Sequence, residues 1–66
     1  MARFKFFLIG STDAPVLDVE AIDLAELHAL MSRERFIAGH MADPDTDGIF
    51  SGVLVPISRV QFVMEI

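Results

Sequence analysis

Cysteine is absent from this chain, and so are tryptophan and tyrosine. Without thiols there can be no disulfide framework and no thiolate metal site. The absence also fits a reducing compartment. Bases are scarce: Arg3, Lys5, Arg33, Arg35 and Arg59 face ten acids, leaving a formal charge of −5. A protein that grips phosphates needs a basic face, so nucleic-acid binding is disfavoured. Long apolar runs are missing as well. The opening MARFKFFLIG sets two bases before Phe6 to Ile9, as a signal peptide would. That run is too short for a signal core, and acids follow soon after. No stretch approaches membrane-spanning length. The expectation is a soluble cytoplasmic protein that does not enter a membrane.

What the chain does have is apolar surface. Its 66 residues are 53% apolar, with six phenylalanines and four methionines, above the usual share of about 45–50%. The length bounds it to one small domain spanning residues 1–66. A chain of this size hides only about 60% of the surface that its unfolded form exposes. With no covalent staple, small domains often gain stability by oligomerising. The composition therefore points to self-association, and a two-fold dimer is the commonest closed form.

RFKFFLIG alternates Arg3 and Lys5 against Phe4 and Phe6, then turns apolar throughout: a strand buried on both sides in its second half. STDAP is a turn-rich break. VLDVEAI reads as a linker or extended lead-in. DLAELHALMS is the clearest helix, with Asp23 as N-cap and Glu26 three residues on. Leu24, Leu27, Leu30 and Met31 share one helical face. RFIAGHMA, from about Arg35 to Ala42, is a strand in which Gly39 marks a bulge or a close backbone approach. IFSGVLVP is a strand that Pro56 ends or marks as an edge. ISR is a single tight turn, and VQFVMEI a last strand with Val60, Phe62 and Met64 towards the core. The expected fold is α+β in the order β-α-β-β-β, one helix on a small antiparallel sheet or open barrel of about four strands. The ending VLVPISRVQFVMEI resembles the strand, one-turn helix and strand that close small barrels of the Sm or SH3-like kind.

DPDTDG is the segment that most suggests chemistry. Asp43, Asp45, Asp47 and Gly48 match the first ligand positions and the glycine of a helix-flanked calcium loop. The position that needs a bidentate glutamate is Leu54, and the flanks read as strands. The turn reading needs less: Pro44 presets a turn, aspartates cap their own backbone, and Gly48 tolerates positive φ. A solvated hairpin loop is therefore expected, with Asp43, Asp45 and Asp47 as the candidate metal ligands should a cation bind. His28 and His40 read as boundary histidines, since nothing in their spacing brings them together. No serine or threonine sits in a nucleophile motif, and so short a chain leaves little room for a pocket.

These features support a non-catalytic, small, oligomeric protein-interaction or accessory module that needs no cofactor. Its partner would bind by edge-strand addition or on apolar surface. The expected oligomer interface is the strand surface turned away from the helix, at Phe7, Ile9, Val53 and Val55. Two alternatives remain at this level. One is a ligand- or metal-responsive module using the loop 43–48. The other is a nucleic-acid-binding small barrel with Phe7 or Phe50 stacked on bases.

Overall fold

Alternation at the start of the chain makes the first strand. In the computed structural model, which describes residues 1–66, β1 (Ala2–Leu8) buries Phe4 and Phe6 completely and turns Arg3, Lys5 and Phe7 to the opposite face. The segment expected as a lead-in is itself a strand, β2 (Val16–Val19). It pairs antiparallel with β1, Phe4 opposite Leu17 and Arg3 opposite Asp18. Leu17 and Val19 alternate around Asp18 and are buried, and that burial fixes the strand. The helix α1 (Leu24–Arg33) follows, then β3 (Phe36–Met41), β4 (Gly52–Pro56), one turn of 3-10 helix (Ile57–Arg59) and β5 (Val60–Glu65). The order is thus β-β-α-β-β-β, an α+β fold with five strands rather than four.

The sheet runs β4-β3-β2-β1-β5, antiparallel throughout. Its two edges are consecutive in sequence, joined only by Ile57–Arg59. Three residues of 3-10 helix advance about 6 Å, whereas the edges of a flat five-stranded sheet lie about 19 Å apart. The sheet must therefore curl. Two backbone bonds anchor the ends of this turn to the strands beside it: the Ile57 amide donates to the Arg35 carbonyl and the Ile9 amide to the Arg59 carbonyl. No ladder joins β4 to β5, so the curled sheet stays open along a seam.

The helix begins where the sequence predicts. The Asp23 carboxylate accepts the Glu26 amide at 2.9 Å, and Glu26 and Arg33 stand at the ends that suit the helix dipole. Leu27 is 1% exposed and joins Phe4, Phe6, Leu17, Ile37 and Val55 in the core cluster; Leu30 and Met31 pack against it half-buried. Leu24, expected on the same packed face, is 44% exposed. It lines a shallow groove between α1 and β5 instead of meeting the cluster. At ten residues, α1 is far too short to cross a membrane, and no helix of the chain is long and apolar enough to do so.

Two registers depart from the expected faces. Phe7 pairs with Phe62 but Leu8 pairs with Val60, so Gln61 is an extra residue in β5. A bulge shifts the alternation by one. Val60 and Val63 consequently pack on the core, while Phe62 and Met64, expected inward, are exposed. In β4 the partners are Ile37 opposite Val55 and Gly39 opposite Val53, which puts Val53 and Val55 on the core face. Gly39 makes the close approach anticipated for it: a Cβ there would lie 2.8 Å from the Asp18 carbonyl oxygen.

These packing differences give a direct expectation. Leu27→Ala should cost about 2–5 kcal/mol, and Leu24→Ala less than about 1 kcal/mol. Urea denaturation of the two variants measures the difference; equal midpoints would mean that the buried helix face is misassigned.

Candidate functional site

The loop between β3 and β4 is built around one side chain. Asp45 Oδ1 accepts the amides of Asp47 at 2.8 Å and Ile49 at 2.9 Å. The Asp45 amide donates to the Ile49 carbonyl, the Gly48 amide returns to the Asp45 carbonyl, and Gly48 has φ 78°. Asp45 thus serves its own backbone, and turning it towards a cation would orphan two amides. No three of the histidine and acidic side chains converge where a metal ion could sit. Asp43 and Asp47 remain on the exposed rim.

The histidines stay apart in the fold's logic: His28 is exposed on α1, and His40 is exposed on β3 directly opposite Asp18. Two hydroxyls are used locally. Ser32 donates to the His28 carbonyl at 2.9 Å and Ser11 to the Asp13 carbonyl at 3.0 Å. The one ion pair of the chain joins neighbouring strands, Arg3 Nε to Asp18 Oδ1 at 2.9 Å. Hydrogen bonding from Arg3 holds the Asp18 carboxyl below the usual carboxylate range, against its partial burial and with help from the Arg3 charge. The same bond raises Arg3 above its ordinary value. Seeing this pair in the sequence required knowing that VLDV is a strand.

The larger feature is apolar surface left uncovered. On the face turned away from the core lie Phe36, Leu54, Phe62 and Met64, all exposed. Phe7 shares that face, its ring stacked on Phe62 at 4.2 Å with the Lys5 ammonium 5.4 Å from its centroid. Beside Leu54, the small residues Ala38 and Gly52 leave a hollow of about 420 Å³ that His40 also lines. Of the residues expected at an interface, Phe7 is half-buried on this outer face and Ile9 is exposed just beyond β1. Val53 is half-buried against the core and Val55 is 3% exposed within it. Those two do not face away from the helix as expected, because their partners Gly39 and Ile37 are on the core side. The apolar side chain that β4 turns outward is Leu54, one residue along. Comparisons with protein-family models, curated proteins and solved structures return no match for this chain.

Two measurements follow. Calorimetric titration of calcium into metal-free protein should show no saturable heat in the micromolar range, because Asp45 is committed to the turn; micromolar binding that Asp45→Asn removes would reverse this. For Asp18, the sign is set by a folded value below the unfolded one of about 3.9. Its stabilising contribution is present above that unfolded value and is lost as pH falls through the folded value. Carboxyl NMR should find the Asp18 midpoint below its unfolded value, moving up in Arg3→Gln.

Proposed function

We propose that this protein is a small, non-catalytic interaction module that works as a homo-oligomer. The observation that carries the reading is the imbalance of burial. Only nine of 66 residues are buried, while eleven large apolar side chains stand exposed, including Phe36, Phe50, Leu54, Phe62 and Met64. Scattered exposed apolar residues are ordinary. Here Phe36, Leu54, Phe62 and Met64 share the outer face of one small sheet, where burial against a second surface would add roughly 25 cal/mol per Å². Two free sheet edges add backbone donors and acceptors that an extended partner segment can take up. The polar groups speak for binding over catalysis: Ser11 and Ser32 bond nearby carbonyls, no three histidine and acidic side chains converge, and Asp45 is locked in its loop.

Size exclusion coupled to light scattering, at micromolar concentration, tests the reading. A mass above the 7.3 kDa of one chain is expected. A monomer at every concentration would remove its basis.

A further inference from the structure

The two edges of the sheet are not equivalent. β5 is guarded in the ways that natural edges are: it carries the Gln61 bulge and ends in Glu65. β4, GVLVP, has no charge and no bulge, and its one guard, Pro56, stands at its last position. The Met41 amide donates to the Ser51 carbonyl, and the Ile57 amide to the Arg35 carbonyl. With this register, residues 51, 53, 55 and 57 turn their backbones to β3. Gly52, Leu54 and Pro56 turn theirs outward. Proline has no N–H, so the free donors of this edge are the amides of Gly52 and Leu54.

Gly52 is otherwise unaccounted for. Its φ is not positive, and an added Cβ would meet nothing closer than 4.0 Å. Glycine inside a strand weakens it and often marks the close approach of another backbone. Next to Gly52 is the hollow floored by Ala38, and next to the hollow is Leu54, 66% exposed.

Resting on the self-association argued above, we propose that β4 pairs antiparallel with β4 of a second copy, about a two-fold axis at Val53. In that register Gly52 lies opposite Leu54 of the copy, and Leu54 opposite Gly52 of the copy. Four hydrogen bonds form, two from each pair, and every free donor of both edges is used. A shift that sets Leu54 opposite itself would put Gly52 against Pro56, which has no N–H to return. Directly opposed side chains share a face, so each Leu54 seats over the copy's Gly52 and into its hollow. The same antiparallel run carries each acidic loop 43–48 towards the other chain's Pro56 end. There Arg35 stands exposed and without an ion pair of its own. The second copy is thus matched in hydrogen bonding, shape and charge. The contact is small for a specific interface, so it should dissociate in the micromolar range and weaken with salt.

Sedimentation velocity from micromolar to millimolar concentration, with amide hydrogen exchange, tests this. The mass should rise to two chains, and the amides of Gly52 and Leu54 should become protected as it does. Gly52→Val, which fills the seat of the copy's Leu54, should fold as well as the parent yet associate roughly tenfold or more weakly, a change read directly from Kd. Ala29→Glu, on the exposed side of the helix, should dimerise like the parent. Should Gly52→Val fail to fold, Leu54→Pro, which deletes one outward donor and nothing facing β3, takes its place with the same expected loss. A dimer whose Gly52 and Leu54 amides stay unprotected, or which tolerates both substitutions, overturns the β4 edge while leaving self-association standing. A parent chain that stays at 7.3 kDa into the millimolar range overturns both.

Discussion

Burial of Phe4 and Phe6, in one cluster with Leu27, is the contact around which the rest of the chain is arranged. Fully burying a side chain of this size contributes about 1.5–3 kcal/mol. No other strand buries two phenylalanines; β2 adds the smaller pair Leu17 and Val19. The strands β2 and β5 flank β1 and cover its edges, and Leu17 and Val63 extend the apolar floor on either side. A single helix of ten residues then closes one side of a sheet five strands wide. There is no second helix for the other side. Phe36 and Leu54 towards one edge of the sheet, and Phe62 and Met64 at the other, stay uncovered through that shortage, and from it comes the case for a partner.

Proline and glycine are placed where the sheet can bear them. Pro56 loses a donor only on the side where β4 has no neighbour, then leads into the turn that curls the sheet. Gly39 permits the tight approach of β3 to β2 over the Asp18 carbonyl. The bulge at Gln61 lets β5 start on the core with Val60, step out, and return with Val63. Each device is local, yet each decides which side chains the finished surface presents.

Much of this was legible in the sequence, and the failures have specific causes. The helix could be read because Asp23, Glu26 and the leucine spacing agree with one another. The 3-10 turn was legible from Pro56 and the short ISR segment between two apolar runs. The loop chemistry followed from the spacing of its aspartates and Gly48. VLDV escaped because four residues cannot establish a period. The inward side of β5 was missed because a bulge leaves no mark in a run as uniformly apolar as VQFVMEI. Val53 and Val55 read as outward for a related reason: GVLVP is apolar on both faces, so only its pairing with β3 tells them apart. The surface proposed for interaction was thus hidden by the composition that implies it.

The bond from the Ile66 amide to the Arg3 carbonyl, at the far end of the β1–β5 ladder, bears on the order of assembly during synthesis. One side of β1 can be satisfied early, by β2. Its other side waits for Val60–Glu65, more than fifty residues later, a delay of several seconds at about 5–20 residues per second. Through that interval Phe6 and Phe7 line a bare edge that any passing extended chain could adopt. Arg3 and Lys5 stand on the same strand as its only charges. Charges on an exposed strand are what natural edges use to discourage such pairing.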